Sequence, residues 1–280
     1  MASEPPCKLS GHLPYRRSFH NFRATLRFHT AWTHSSRSGH AVLHPVEDRY
    51  RRREYSRDMV DAVLFDLDET LLDRTKSLRA FLRDQFERHA DRLGHVRSDE
   101  WCARFLVLDK RGRVHKSVVY PNILAEFGGR VEHADILLAD YRARCARFAQ
   151  PFDGMGAVLK ELRARGLALG IVTNGETEFQ SRHVEALELD GLVDAVLISE
   201  REGLRKPDAA LFLRAATACR TQPSRCLFVG DNPVADVLGA HAAGMSTAWF
   251  HGSAEWPTDA PSNPGASIDH LSQVLALARP

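Results

Sequence analysis

Four short segments carry residues that could do chemistry together: Asp66-Leu67-Asp68-Glu69-Thr70-Leu71, Thr173-Asn174-Gly175, Arg205-Lys206-Pro207-Asp208 and Gly230-Asp231-Asn232-Pro233-Val234-Ala235-Asp236. They supply two carboxylates two residues apart, a hydroxyl, an ammonium and two further carboxylates. So many acidic groups do not converge without a cation, and hard carboxylate oxygens suit Mg²⁺. A carboxylate of such a set can act as a nucleophile and form an aspartyl-phosphate. Nucleophile and phosphate substrate would both be anionic, so a divalent ion must bridge them. Thr173 and Lys206 can donate to the transferring phosphoryl oxygens. Asp68 can protonate the departing alcohol and later take a proton from water.

Taken singly, each signal is weak. An Asp-x-Asp after an apolar run is more often a turn or a helix cap. Lys206 before Pro207 reads equally as a solvated lysine ahead of a helix that begins with proline. Thr173 could cap a helix, and Asp236 could favour the amino end of the helix that follows it. The weight comes from where the segments fall, each just past a run with the character of a buried strand.

Those runs are Ala62–Phe65, Leu167–Val172, Val193–Ile198, Cys226–Val229 and Thr247–Phe250, short and continuously apolar, as strands buried on both faces are. Helical stretches near 155–165, 177–187, 208–219 and 234–243 alternate with them, and Gly166 and Gly244 stand where two of these would need a left-handed residue to end. Such alternation predicts an α/β, Rossmann-like, doubly wound parallel sheet. In that architecture the ends of the strands converge on one ligand-binding edge.

About 100 residues separate the first strand from the second, far more than a crossover needs. Leu78, Phe81, Leu82 and Phe86 recur at helical spacing there, as do Val119, Ile123 and Leu124, and Ile136, Leu137 and Tyr141. Residues 75–150 therefore read as an inserted all-helical cap of four helices, placed to act as a lid, with 59–74 and 151–280 forming the catalytic core. Trp101 and Phe105 read as cap core. The basic cluster Arg111, Arg113, His115 and Lys116 reads as a solvated loop or as a contact for the substrate's leaving group.

The remaining 58 residues differ in kind. They hold 11 Lys and Arg against 5 Asp and Glu and six of the fourteen histidines, with no sustained period, and read as a disordered basic extension or as sequence preceding a true start at Met59. An apolar signal core is missing there, and four acidic residues weaken an organellar transit reading. The formal net charge of +2 over 280 residues disfavours a nucleic-acid partner, and no apolar run reaches the ~18 residues that span a bilayer. Five scattered cysteines without a C-x-x-C pair fit a reducing cytoplasm better than a disulfide framework or a zinc site. Cys219 and Cys226 read as small buried hydrophobes.

The four segments, in this order, resemble the haloacid dehalogenase-like hydrolase superfamily over residues 60–280, and the helical insert resembles its first-type cap. Leu64-Phe65-Asp66-Leu67-Asp68-Glu69-Thr70-Leu71 is similar to the family signature nearly residue for residue. The resemblance implies Asp66 as nucleophile and Asp68 as general acid and base. It implies Thr173 and Lys206 as phosphoryl-binding groups, with a backbone donor from Asn174. It further implies Mg²⁺ held by the Asp66 carboxylate, the Asp68 main-chain carbonyl and Asp231, with Asp236 as a partner behind them. Val172-Thr173-Asn174-Gly175-Glu176-Thr177-Glu178 with Glu185-Ala186-Leu187 resembles a phosphatase branch that includes pyrimidine 5′-nucleotidases, whose members commonly read Pro in place of Glu176. True dehalogenases lack the second aspartate, so Asp68 favours phosphate ester hydrolysis. The expected function is a Mg²⁺-dependent phosphomonoesterase for a small phosphorylated metabolite. A phosphoglucomutase-like isomerase or a dehalogenase on the same scaffold are the alternatives. The expectation fails if Asp231 or Lys206 stands out of reach of Asp66.

Overall fold

Four apolar residues, Ala62–Phe65, have every side chain buried, and this run forms strand β1. It lies inside a six-stranded, all-parallel sheet with β2 (Ala168–Thr173), β3 (Ala195–Ile198), β4 (Cys226–Gly230), β5 (Ser246–Phe250) and β6 (Ala266–Ile268), in the order β3-β2-β1-β4-β5-β6. The computed structural model describes residues 59–279, apart from Gly94 and 252–254. The expected basic extension over 1–58 lies outside the described residues.

Alternation along β1 sorts the core into two layers. Val63 and Phe65 face one side, where they meet Met155, Val158, Leu159 and Leu162 of helix α5 (Met155–Ala164). Ala62 and Leu64 face the other, against Leu211, Phe212, Ala215 and Ala216 of α7 (Ala209–Ala218). Gly166 and Gly244 take φ of +80° and +86°, as the helix ends before them require. The register sets Phe65 beside Ile171 and Val229, so the residues after β1, β2 and β4 leave the sheet at one edge.

The stretch between β1 and β2 is helical. Helices α1 (Arg74–His89), α2 (Ser98–Asp109), α3 (Lys116–Glu126) and α4 (Ala134–Arg144) enclose their own core of Phe81, Trp101, Phe105, Tyr120, Ile123 and Leu137. This inserted cap joins the sheet through two chain crossings that lie side by side. The Asp73 N–H donates to the Gln150 carbonyl and the Phe152 N–H to the Leu71 carbonyl, both at 2.9 Å, and Ser77 Oγ accepts from the Gln150 N–H. Asp73 also caps α1 by accepting from the Lys76 N–H.

Two details depart from the sequence reading. β6 is an extra strand, too short at three residues to leave a pattern. The helix expected near 234–243 is split into a wide-turned π segment, Pro233–Leu238, and a short helix α8, Gly239–Ala242. The side chain of Asn232 starts the π segment by accepting from the N–H groups of Val234 and Ala235. Among the described residues no helix is long and apolar enough to cross a membrane.

Candidate active site

Asp66 is the first residue past β1, yet its N–H still donates to the Val229 carbonyl at 2.9 Å, so the ladder fixes its backbone. Its side chain is buried. The chain then turns sharply. The Leu67 carbonyl accepts from the N–H groups of Leu71 and Leu72, and Glu69 takes a left-handed φ of +60°. That turn brings Asp68 back over the sheet edge, where its carboxylate accepts from Gln180 Nε2 at 2.7 Å and lies 3.9 Å from Arg74 Nε.

Thr173 ends β2 with its hydroxyl buried at the same edge. The Asn174 side chain bridges two of the four segments: Nδ2 donates to the Lys206 carbonyl at 3.1 Å and Oδ1 accepts from the Lys206 N–H at 2.9 Å. This strap aims Lys206 inward. Its Nζ is 2.5 Å from Asp66 Oδ1 and 2.7 Å from Asp236 Oδ1, with all three side chains buried. Asp236 sits in the π segment and accepts from the Asn232 N–H at 2.9 Å. It fits there because residue 230 is glycine: a Cβ at Gly230 would lie 2.5 Å from the Asp236 Cβ.

Carboxylate oxygens of Asp66, Asp231 and Asp236 lie within 4.8 Å of one another. Burial and mutual repulsion push the Asp66 carboxyl well above the usual carboxylate range, against the pull of Lys206, and raise Asp231 to about 7. Burial opposes the charge on Lys206, but Asp236 and Asp66 outweigh it and hold the ammonium charged. The floor of the site is therefore short of positive charge.

Above it lies a cavity of about 750 Å³, roofed by cap residues that include Arg111, Arg113, His115 and Lys116. Arg111 reaches down to Asp231, Nη2 to Oδ2 at 2.9 Å. Lys116 does not belong to a solvated loop: it begins α3 and is buried in an ion pair with Asp109. At the cavity mouth Glu176 pairs with Arg142 at 3.4 Å and faces His115 at 3.6 Å, joining cap to core. Both partners are half exposed, which limits that link to about 0–1 kcal/mol.

The seven site residues read from the sequence, Asp66, Asp68, Thr173, Asn174, Lys206, Asp231 and Asp236, and the four of the basic cluster, Arg111, Arg113, His115 and Lys116, thus line one cavity. The sequence reading missed Gln180, Arg74 and Asp109. Gln180 lies in helix α6 (Thr177–Ala186), and no periodicity distinguishes a helical glutamine that is buried from one that is not. Arg74 and Asp109 stand 35 residues apart, and the chain alone gives no sign that they pair. Trp101, Phe105, Cys219 and Cys226 are buried as expected.

Comparison with known proteins points to one family. The family model of haloacid dehalogenase-like hydrolases matches residues 60–244. A phosphoserine phosphatase of Thermus thermophilus is 30% identical over 244 residues, covering 76% of this chain and 97% of that protein. A pyrimidine 5′-nucleotidase of Escherichia coli is 33% identical over 133 residues, 46% of this chain and 59% of its own length. A magnesium-bound HAD-hydrolase of Bacillus subtilis shares the fold at a TM-score of 0.63 and 22% identity, covering 79% of this chain and 99% of that one. With the sheet order, the cap and the four strand-end segments in place, the chain belongs to the haloacid dehalogenase-like hydrolases.

Proposed function

We propose that this hydrolase is a Mg²⁺-dependent phosphomonoesterase acting on a small phosphorylated metabolite, a nucleotide or a sugar phosphate, through an aspartyl-phosphate on Asp66. The observation that carries the reading is the placement of Lys206 Nζ against both Asp66 and Asp236, beside Asp231, at the floor of a cavity with a cationic roof. We assign residues 59–74 and 151–280 to the catalytic core and 75–150 to the cap. The four described cysteines are free and buried, which suits a cytoplasmic setting.

The acidic floor fits a divalent cation. Two buried carboxylates, Asp66 and Asp236, share the Lys206 ammonium, and burial together with the charge of Asp236 raises the partly exposed Asp231 to about 7 against the pull of Arg111. The Asp66 carboxylate, the Asp68 main-chain carbonyl and Asp231 would hold Mg²⁺, with Asp236 anchoring Lys206 behind them. When bound, the ion supplies the charge that lets an anionic nucleophile approach an anionic phosphorus centre.

The chain's own residues account for the remainder. An Asp66 oxygen attacks phosphorus while the bond from phosphorus to the leaving oxygen breaks, and Asp68 gives its proton to that oxygen. Thr173, Lys206 and the Asn174 backbone hold the phosphoryl oxygens. Asp68 then takes a proton from water, the water oxygen bonds to phosphorus, and the Asp66–phosphorus bond breaks to release orthophosphate. Phosphoserine and pyrimidine nucleotides, the substrates in the names of two relatives, are small phosphate esters, and a cavity of about 750 Å³ is of the right size for such ligands.

Hydrolysis of p-nitrophenyl phosphate, with and without Mg²⁺, tests the proposal. Turnover is expected only with the ion, and Asp66→Asn is expected to lower kcat by about 10³-fold or more. Full activity in that variant would reject the aspartyl-phosphate.

A further inference from the structure

Gln180 is a buried side chain in the middle of this site, and the mechanism above gives it no task. It stands in the first turn of α6, its N–H donating to the Glu176 carbonyl at 3.0 Å. Its Nε2 lies 2.7 Å from Asp68 Oδ2, 2.8 Å from Thr173 Oγ1 and 3.3 Å from the Asn174 carbonyl. A carboxamide nitrogen has two hydrogens, and the two short contacts use them. Its Oε1 is buried without a hydrogen-bond partner among the described residues, so the amide is held through its donors alone. An ionised carboxylate only accepts, which fixes the face turned to Asp68 as the nitrogen.

We infer that Gln180 is a positioning residue that sets the Asp68 carboxylate and the Thr173 hydroxyl in register for phosphoryl transfer. Each short bond has a directional consequence. Donation to Asp68 Oδ2 engages that oxygen and leaves Oδ1, which faces Arg74 Nε at 3.9 Å, to carry the proton for the leaving group. Donation to Thr173 Oγ1 makes that oxygen an acceptor, so its single hydrogen turns away from Gln180 and is free for a phosphoryl oxygen. One amide thereby orients the acid and a phosphoryl donor together.

The neighbouring backbone supports this. A Cβ on Gly175 would lie 2.7 Å from Gln180 Cγ and 3.0 Å from its Cδ and Nε2, so only glycine at 175 leaves room for the amide in this place. Gly175 takes no positive φ here, so its need for a bare Cα comes from Gln180 and not from its own conformation.

The inference rests on the phosphomonoesterase reading, and its test separates the two. A protonated leaving group matters for an alkyl alcohol and little for p-nitrophenol, because general acid catalysis is worth about 10²–10⁴-fold only where the leaving oxygen needs a proton. Gln180→Leu is expected to lower kcat for a simple alkyl phosphate about tenfold more than kcat for p-nitrophenyl phosphate, which shifts the ratio of the two. It is also expected to weaken binding of inorganic phosphate, by calorimetry in the presence of Mg²⁺, by about fivefold through the unaligned Thr173 hydroxyl. Gly175→Ala, which displaces the amide without deleting it, should reproduce both effects. Combined with Gln180→Leu it should add little, since both act through one side chain. Circular dichroism and thermal unfolding confirm folding, and should Gln180→Leu fail to fold, Gly175→Ala carries the test. Equal losses on both esters with unchanged phosphate affinity would reduce Gln180 to a structural residue and overturn the inference. An additive double variant would overturn it too. Wild-type protein that hydrolyses neither ester would instead reject the phosphomonoesterase reading, and this inference with it.

Discussion

Lys206 shows how much of the site rests on one side chain. It is the ammonium between Asp66 and Asp236, and both carboxylates are buried with it. Removing one partner of a buried charge cluster costs about 3–5 kcal/mol, because the remaining charges lose their compensation. Lys206→Met, which keeps most of the volume, should therefore lower the unfolding free energy by about that amount in urea titrations at neutral pH without added cation. A change below about 1 kcal/mol would mean that the carboxylates take up protons or water instead. Most residues at this scale were legible in the sequence, because Asp66, Asp68, Thr173, Lys206, Asp231 and Asp236 each follow a recognisable apolar run. Gln180 was not. Its burial comes from the packing of α6 against Gly175, a fact of three dimensions with no one-dimensional trace.

At the scale of elements, the helical cap is held to its working loop by Asp109. This residue ends α2, is fully buried, and accepts from Arg74 Nη1 at 2.9 Å, from Arg74 Nη2 at 3.1 Å and from the Gly112 N–H at 2.8 Å, besides pairing with Lys116. It thus ties the first residues of α1 and α3 to the end of α2. The clamp sustains a loop in which Lys110, Arg111 and Gly112 have φ of +47°, +58° and +82°, at a cost of about 1–3 kcal/mol for each non-glycine residue. That loop carries Arg111 to Asp231. Burial alone would raise the Asp109 carboxyl, but Arg74 and Lys116 prevail and hold it below its ordinary range. A carboxyl depressed in the folded state contributes stability above its unfolded value, about 3.9, and loses it as the pH falls through the folded value. The wild-type cap should therefore loosen on acidification below about pH 3.9, read by the fluorescence of Trp101 in the cap core. Asp109→Asn should weaken the cap by about 3–5 kcal/mol at neutral pH and flatten that acid limb. A variant that keeps the wild-type acid limb would remove Asp109 from the account. The strands were readable because burial on both faces leaves unbroken apolar runs, whereas β6 and the split of 233–242 owe their form to hydrogen bonds that no run records.

For the molecule as a whole, the acidic floor joins parts that are remote in the chain. Asp66 follows β1, Asp231 follows β4, and Asp236 holds Lys206 from the loop after β3, so the cluster fastens the middle of the sheet to the segments on either side. Three carboxylates facing Lys206 and Arg111 leave an excess of negative charge, a destabilising arrangement, and burial together with the repulsion from Asp236 raises the Asp231 carboxyl to about 7. A ligand that binds only the folded state stabilises by mass action, about 2.7 kcal/mol at a concentration one hundred times its Kd. For a folded unit of this size that corresponds to a Tm rise of roughly 5–10 °C. Saturating Mg²⁺ should accordingly raise the Tm of the full chain by that margin, and excess chelator should reverse it. Asp231→Asn removes one carboxylate, which relieves the repulsion, so this variant should match or exceed the wild-type Tm without the ion yet respond weakly to adding it. The opposite crossing of the two effects is diagnostic, since simple loss of a structural contact would lower the Tm in both conditions. If the Tm of wild type and variant rise equally with Mg²⁺, the ion acts elsewhere on the surface, and the acidic floor needs another source of positive charge, of which Arg111 is the one already in contact.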